Sequence, residues 1–270
     1  MTVGSDIPSG RLLGKAIRRS VLEQSKRANV GHIGSALSIA DLLGAVFTVL
    51  DVRDPADLDR DRFVLSKGHA ALGLYAALVE VGTLTSDDLD TFCGDGSLLG
   101  VHPEHALSGI DFSTGSLGQG LSMGVGAALG AAMLGSSRKV VVLVSDAECD
   151  EGSIWEAAMF ASQHRLEHLT VMVDHNHQQA FGYTADVLAS EHLADRWRAF
   201  GWETIEADGH DEVRLAELLA AAPSGRPRVI VAETVFGKGV SYMEGEIKWH
   251  YLPMSDAEYE LALSELEAVQ

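Results

Sequence analysis

Two apolar runs rich in valine constrain the fold of this chain more than any other feature of its sequence. Residues 139–144 are almost entirely valine and leucine, and residues 168–174 form a second run of the same kind. Such runs are typical of strands that are buried on both faces of a parallel sheet. Between them, alanines recur at helical spacing after Ile154. The pattern predicts a strand–helix–strand unit within an α/β layered fold.

The loop after each run offers oxygen ligands. Asp146 follows the first run, and Asn176 and Gln178 follow the second. Open α/β sheets bind ligands in the crevice at the carboxyl ends of their strands, so we expect these loops to face one another. A carboxylate, an amide oxygen and a backbone carbonyl form an oxygen set that Mg²⁺ prefers, usually shared with a substrate phosphate. We therefore predict a metal site of Asp146, Asn176 and the Gln178 carbonyl, which could also accept Ca²⁺ or Mn²⁺.

The length and charge of the chain limit what it can be. Its 270 residues, of which 46% are hydrophobic, can bury one large core. We expect a single domain at residues 10–270 after a disordered lead-in at residues 1–9. A net charge of −19 disfavours binding to nucleic acid or to an anionic membrane surface. An anionic ligand therefore requires a metal or a locally built site.

Cysteine content and the longest apolar stretch bear on the compartment. The two cysteines, Cys93 and Cys149, exclude a disulfide framework and indicate a cytoplasmic protein, and we expect both to be small buried residues. No secretory signal is visible at the N-terminus. Residues 121–134 are apolar but interrupted by glycines, which predicts a buried helix and not a membrane span.

Two histidines lie beside glycines at predicted helix starts. His32 is in a glycine-flanked loop, after which Ser38 and Asp41 form a capping-box pattern that predicts where the next helix begins. His69 follows a predicted short strand at residues 62–66 and also precedes a helix. A helix start presents free N–H groups and a positive dipole end, which favour a phosphate. A loop histidine alone is more often a surface residue, so neither motif identifies a site without further evidence.

Five segments, in the same order along nearly the whole chain, resemble the N-terminal half of transketolases, in the form that is split into two subunits. They are Gly-His-Ile-Gly at 31–34, Lys-Gly-His at 67–69, His-Pro-Glu at 102–104 followed by Ser-Thr-Gly-Ser-Leu-Gly at 113–118, Ser-Asp-Ala at 145–147 with Asn176, and Trp-His at 249–250. The glycine loop has a second explanation, which is a turn into a tightly packed helix.

The resemblance implies both a fold and an activity. The fold is a doubly wound, mostly parallel twisted sheet with helices on both faces, which is the thiamine diphosphate-binding fold. The activity is that of a transferase of carbohydrate metabolism, which moves a two-carbon ketol unit from a ketose donor to an aldose acceptor. The cofactors implied are thiamine diphosphate and magnesium.

The resemblance also assigns roles to residues of this chain. Cofactor contacts are implied for His69 and His250 near the diphosphate, for Gly115 and Leu117 along the aminopyrimidine ring, and for Ser145, Asp146 and Asn176. His32 and His102 are implied to act on the donor sugar, where a neutral imidazole can donate to a developing alkoxide or move a proton. Glu151 and Glu156 are implied to join proton networks between cofactor sites, although helix-start charge and surface solvation explain them equally well.

One departure from the family keeps other functions open. Ser145 and Ala147 replace both glycines of the family's Gly-Asp-Gly signature. This loss would suit a non-catalytic partner subunit that folds and pairs but binds no cofactor. The α subunit of a 2-oxo-acid dehydrogenase shares the metal signature, but His32 and the His-Pro-Glu segment argue against it. A nicotinamide dehydrogenase would require Gly-x-Gly-x-x-Gly after its first strand, and the sequence contains no such arrangement.

The resemblance finally implies a partner. In this family the glutamate that activates the cofactor belongs to a second, pyrimidine-binding domain. After His250 only a helix at residues 255–270, capped by Ser255 and Glu258, is predicted, which is too short for another sheet. We therefore expect a C-terminal transketolase subunit to supply that domain and its catalytic glutamate in an α2β2 heterotetramer. The glycine- and alanine-rich helix after Gly120 is a candidate for the interface.

Overall fold

The computed structural model describes residues 12–52, 54, 56–188 and 192–268. The lead-in predicted at residues 1–9 lies outside the described residues. The strands are β1 (Arg62–Leu65), β2 (Val140–Ser145), β3 (Leu169–His175), β4 (Gln178–Gln179), β5 (Gly182–Tyr183), β6 (Glu203–Asp208) and β7 (Arg228–Glu233). Five of them form one parallel sheet in the order β1-β2-β3-β7-β6, whereas β4 and β5 form a short antiparallel pair. The two valine-rich runs are therefore adjacent parallel strands, as predicted.

Helices connect the strands of the sheet. They are α1 (Gly14–Ala28), α2 (Ile33–Ser38), α3 (Ala40–Val49), α4 (Ala71–Glu80), α5 (Ser86–Leu89), α6 (Gln119–Met133), α7 (Gly152–Gln163), α8 (Thr184–Val187), α9 (Leu193–Ala199), α10 (Glu212–Ala220) and α11 (Asp256–Ala268). Short 3₁₀ turns lie at Gly68–Ala70, Ala147–Asp150 and Ile247–His250. The predicted cap of the last helix is confirmed, because Glu258 N–H donates to Ser255 Oγ while Ser255 N–H donates to the Glu258 carboxylate.

Successive side chains of β2 enter two different hydrophobic cores. Val141 and Leu143 pack with helices α1 to α4, α10 and α11. Val140, Val142 and Val144 face the other way and pack with α6, α7 and α9. Because each fully buried aliphatic side chain contributes about 1.5–3 kcal/mol, both faces of the strand stabilise the fold. Helices thus cover both faces of a parallel sheet, and the predicted doubly wound α/β fold is confirmed.

The carboxyl edge of the sheet brings three loops together. β1 leads into the loop at residues 67–69, β2 leads into Asp146, and β3 leads into Asn176. Ser145 pairs with Asp174 in the β2–β3 register, and the N–H of Asp146 donates to the carbonyl of Asp174 over 3.1 Å. The two loops predicted to hold a metal therefore lie side by side.

The predicted capping box at Ser38 and Asp41 is wrong. The helix already begins at Ile33, and Ser38 is the last residue of α2, while α3 begins without a side-chain cap. The Ser38 hydroxyl donates over 2.9 Å to the buried carboxylate of Asp174, and Asp41 forms an ion pair with Arg18. The local capping pattern is not used, because the buried carboxylate of Asp174 requires hydrogen-bond donors from distant parts of the chain.

Two expectations about burial are met only in part. Cys149 is buried as expected, but Cys93 is exposed. Helix α6 packs one side on the sheet, while Met133 and Leu134 at its end are 80% and 77% exposed. Among the described residues, no helix combines the length and the apolar character that crossing a bilayer requires.

Candidate active site

A fully buried carboxylate, Asp146, lies at the carboxyl end of β2. One of its oxygens accepts a hydrogen bond from the N–H of His177 and the other from the N–H of Ala147, each over 2.8 Å. Burial, together with the nearby Asp174 carboxylate, raises the pKa of Asp146 to about 7. A buried carboxylate that resists ionisation in this way is suited to receive a cation, which would favour the ionised form.

Asp174 fixes the neighbouring amide of Asn176. The Asn176 Nδ2 donates to Asp174 over 2.7 Å, and its Oδ1 accepts from the N–H of Gln178 over 2.9 Å. The amide oxygen therefore faces the loop that carries the Gln178 carbonyl. Asn176 and Gln178 are both buried, and His177 between them contacts Asp146 through its backbone. The structure thus brings the three predicted metal ligands together, and all of them offer the oxygen atoms that a hard cation prefers.

Asp174 itself was missed by the sequence reasoning, as was its partner Lys67. The Lys67 ammonium forms an ion pair with Asp174, and both side chains are almost completely buried. The hydroxyls of Ser38 and Thr234 also donate to this carboxylate. With four side-chain donors including Asn176, Asp174 is satisfied as a buried anion. The signal in the sequence was a lysine directly after a buried strand.

A second missed carboxylate, Glu148, joins two loops of the site. It is completely buried and accepts hydrogen bonds from the N–H groups of Gly118 and Ser145, each over 2.9 Å, and from the hydroxyl of Ser66. Burial raises the pKa of the Glu148 carboxyl, although these hydrogen bonds oppose the shift. Glu148 therefore ties the turn after Asp146 to the glycine loop at residues 113–118.

Ser145 and Ala147 fit their positions without strain. Ser145 Oγ accepts from the N–H of Glu148 over 3.2 Å, and the N–H of Ala147 donates to Asp146. The described non-glycine residues with positive φ include neither Ser145 nor Ala147. Because neither backbone position is left-handed, the conformation does not require glycine at either one.

Three histidines from separate segments form a cluster. The ring centroids of His32, His69 and His250 lie 5.2–5.5 Å apart. Burial is the main cause that lowers the pKa of each imidazole, to about 4 for His250 and well below the usual range for His69. All three are therefore neutral at physiological pH. Among the described residues, the buried Nδ1 atoms of His32 and His250 have no hydrogen-bond partner, which suits a polar ligand.

The glycine loop at residues 113–118 packs closely against Gly68 and His102. A Cβ atom on Gly68 would lie 2.8 Å from the backbone nitrogen of Gly115, and one on Gly115 would lie 2.9 Å from the His102 ring. Gly115 also has φ 147°, which disfavours a side chain. Leu117 in the same loop is 40% exposed and therefore accessible to a ligand. An open cleft of about 500 Å³ is lined by His102, Gly115 and their neighbours.

Glu151 and Glu156 are both exposed, and Glu151 lies at the glycine loop. Glu151 immediately precedes α7. A Cβ atom added to Gly118 would lie only 2.7 Å from the Cβ of Glu151, so Glu151 contacts the glycine loop. Glu156 is on the exposed side of α7. Within the described part of the chain, neither side chain forms a hydrogen bond or an ion pair. Both remain accessible to a second protein, and their predicted roles remain predictions.

Known protein sequences match nearly the whole of this chain. Residues 10–267 match the family described as transketolase, thiamine diphosphate binding domain. The chain is 42% identical to the 6-deoxy-6-sulfo-D-fructose transketolase subunit of Clostridium sp. (strain MSTE9), over 93% of this chain and 94% of that protein. It is 39% identical to one subunit of the apulose-4-phosphate transketolase of Actinobacillus succinogenes, over 94% of each chain.

Solved transketolase structures share the fold. The transketolase of Campylobacter jejuni superposes with a TM-score of 0.86 at 28% identity, over 96% of this chain. The transketolase of Leishmania mexicana gives a TM-score of 0.88 at 30% identity, over 94% of this chain. This chain spans 43% and 41% of the lengths of those two proteins.

Proposed function

This chain belongs to the transketolase family, and from that premise we propose that it is the N-terminal, thiamine diphosphate-binding subunit of a two-component transketolase. The proposed reaction moves a two-carbon ketol unit from a ketose to an aldose. The names of the two relatives specify a sulfonated and a phosphorylated sugar, which makes a ketose with an anionic group the favoured substrate class. The observation that carries the proposal is the neutral histidine cluster beside Asp146, a buried carboxylate whose ionised form a bound cation would favour.

The residues of this chain have distinct tasks in that reaction. Asp146, Asn176 and the Gln178 carbonyl would hold Mg²⁺, with His69 and His250 near the diphosphate and Gly115, Leu117 and Ser145 also in contact with the cofactor. Bound thiamine diphosphate supplies the electron sink for cleavage of the carbon–carbon bond. His32 and His102 donate hydrogen bonds to the hydroxyl groups of the donor sugar and move protons there.

Binding of the cofactor tests the proposal directly. The purified chain, with and without a candidate partner, is titrated with thiamine diphosphate in Mg²⁺ by calorimetry. We expect saturable binding that disappears when the metal is chelated. Absence of binding under every condition would contradict the proposal and would favour a non-catalytic partner subunit. The names of the relatives favour this transketolase function over that of a 2-oxo-acid dehydrogenase subunit.

The partner is part of the proposal. The relatives are named as subunits, which points to assembly with another chain. We expect that chain to supply the pyrimidine-binding domain and the catalytic glutamate, in an α2β2 complex. The exposed end of α6 is a candidate contact surface because Met133 and Leu134 form an adjacent exposed apolar pair, and contiguous apolar patches often mark protein–protein contacts.

Cofactor binding should depend on pH through Asp146. Its pKa of about 7 lies above the usual 3.8, so a metal must displace a proton from it below pH 7. We expect the affinity for thiamine diphosphate with Mg²⁺ to be nearly constant above pH 7.5 and to fall by about a hundredfold by pH 5, because two pH units correspond to that ratio. Calorimetric titrations across this range check the slope, and a flat profile would contradict it.

Replacement of His32 or His102 with alanine should act on the substrate more than on the cofactor. In the assembled enzyme we expect kcat/KM to fall about tenfold to a thousandfold. This corresponds to a loss of about 1.5–4 kcal/mol of transition-state stabilisation if one hydrogen bond is lost. The affinity for thiamine diphosphate should change little. His164→Ala is the control because this histidine is exposed at the end of α7. Parental kinetics in both variants would remove the two residues from the active site.

The double variant Ser145→Gly with Ala147→Gly separates an active protein from a degenerate one. Because neither position has positive φ, glycine offers no relief of strain and should lower stability by about 1 kcal/mol per site, and by more at Ser145, whose hydroxyl accepts from the N–H of Glu148. We therefore expect the variant to bind the cofactor no more tightly than the parent. A parent that binds no cofactor and a variant that does would establish degeneracy instead.

A further inference from the structure

Two histidines beside the proposed magnesium site have no part in the function described so far. His175 is the last residue of β3, and His177 follows two residues later in a left-handed conformation with φ 61°. Their ring centroids are 4.1 Å apart. One ligand atom from each of Asp146, His175 and His177 can be chosen so that all three lie within 4.8 Å of one another. The backbone thus directs two imidazoles toward a buried carboxylate.

A further carboxylate orients both imidazoles. Glu233 at the end of β7 pairs with His175 in the sheet register, and its two oxygens contact His175 Nδ1 over 3.0 Å and His177 Nε2 over 2.5 Å. Each ring keeps a second nitrogen that is not used by Glu233. Carboxylates that hold the outer nitrogen of a metal-bound histidine are a common feature of zinc sites, where they fix the ring and raise its basicity.

This set of ligands suits a different metal from the one proposed above. Imidazole nitrogen is a good ligand for Zn²⁺, Co²⁺ and Ni²⁺ and a poor one for Mg²⁺. A tetrahedral zinc with bonds of about 2.0–2.1 Å requires ligand atoms about 3.3 Å apart. The side chain of His177 is 47% exposed and can rotate to close the remaining gap. Three protein ligands would leave one position for water or another molecule.

We propose that Asp146, His175 and His177 form a transition-metal site, supported by Glu233, that competes with magnesium and thiamine diphosphate for Asp146. When Zn²⁺ or a similar transition-metal ion is bound there, the Asp146 carboxylate is no longer available to Mg²⁺. The site itself rests only on the residues of this chain, whereas the competition rests on the proposed function. Zinc therefore acts as an inhibitor that prevents cofactor binding.

Cobalt provides the readout, because Co²⁺ in a low-coordinate nitrogen and oxygen site absorbs visible light far more strongly than hydrated Co²⁺. The metal-free full chain, without thiamine diphosphate, is titrated with Co²⁺ and then with Zn²⁺. We expect one equivalent of Co²⁺ to give the intense spectrum and Zn²⁺ to abolish it. Saturating Mg²⁺ with thiamine diphosphate should weaken the affinity for Zn²⁺ at least tenfold.

Three variants test the site, and a fourth is the control. His175→Gln and His177→Asn should lose the cobalt spectrum; asparagine is chosen because it tolerates the left-handed backbone at this position. Glu233→Gln should weaken Zn²⁺ binding by about 10–100-fold. His164→Ala removes an exposed histidine elsewhere and should bind as the parent does. Circular dichroism checks that each variant folds.

Each negative result contradicts a different part of the proposal. Equal cobalt spectra in the parent, His175→Gln and His177→Asn, or only weak octahedral-type absorption in the parent, would overturn the site. Zinc affinity that does not respond to saturating Mg²⁺ with thiamine diphosphate would overturn the shared use of Asp146. A chain that binds cobalt as expected but never binds thiamine diphosphate would leave the metal site standing and overturn the proposed function.

Discussion

Replacing Asp146 with alanine is expected to abolish magnesium-dependent binding of thiamine diphosphate. The cofactor brings two to three negative charges to an edge of the sheet where Glu148 and Asp174 are already buried. Without a cation, each close pair of like charges costs on the order of 1 kcal/mol or more in a partly screened site. The chain's net charge of −19 adds to this repulsion. Calorimetry in Mg²⁺ should detect no binding at concentrations that saturate the parent.

Two further variants make this result interpretable. Asp146→Asn keeps an oxygen that can accept from the N–H of His177 or Ala147 but removes the charge. The substitution relieves the burial of a charge, but the new amide nitrogen faces the N–H that its oxygen does not accept, so the metal-free asparagine variant should differ little from the parent in stability at neutral pH. Asp87→Ala removes the same charge from the exposed start of α5 and should bind the cofactor normally. If Asp146→Ala binds as tightly as the parent, the metal assignment is wrong.

The isolated chain is expected not to accelerate hydrogen–deuterium exchange at C2 of thiamine diphosphate. Exchange at this carbon requires a carboxylate that protonates the aminopyrimidine ring, and in this family that glutamate belongs to the pyrimidine-binding domain. The chain matches the thiamine diphosphate-binding domain and spans 43% of the Campylobacter jejuni enzyme. With a partner that carries the glutamate, exchange should become faster by several orders of magnitude, within the range of typical enzymatic accelerations.

Nuclear magnetic resonance after acid quenching gives the exchange rate with and without the partner. A partner whose catalytic glutamate is changed to glutamine is the matched control, since it should assemble but leave the rate near that of free cofactor. Acceleration by the chain alone would contradict the two-subunit proposal. It would also mean that Glu151, Glu156 or another carboxylate of this chain reaches the ring.

The strands and most helices could be predicted because their signals are local. The valine runs of β2 and β3 and the glycine-flanked His32 and His69 are visible in short windows of sequence. The donors to Asp174 and Glu148 were not predictable in this way. Lys67 is 107 residues from Asp174, and Ser66 is 82 residues from Glu148, so only the folded sheet brings these partners together.

The same limitation explains the error at Ser38. Its hydroxyl could have capped a helix, as the local pattern indicates, but Asp174 lies 136 residues away and is completely buried. An unsatisfied buried carboxylate costs far more than an uncapped helix, whose cap contributes about 1 kcal/mol. Metal and cofactor contacts are subject to the same rule, because distant loops supply them.

The bonds of Asn176 determine when the metal ligand becomes ordered. Its amide donates to Asp174 and accepts from the N–H of Gln178, so a half-turn of the amide would break both bonds and place two donors against each other. The ligand oxygen therefore adopts a single orientation as soon as the sheet forms. Rotamer entropy, about 0.5–1.5 kcal/mol for a side chain that is otherwise immobilised on binding, is lost during folding and not when the cation arrives. Mg²⁺ thus binds to an amide oxygen that is already ordered. Because this oxygen has a fixed position, the site can discriminate between ions of different radius.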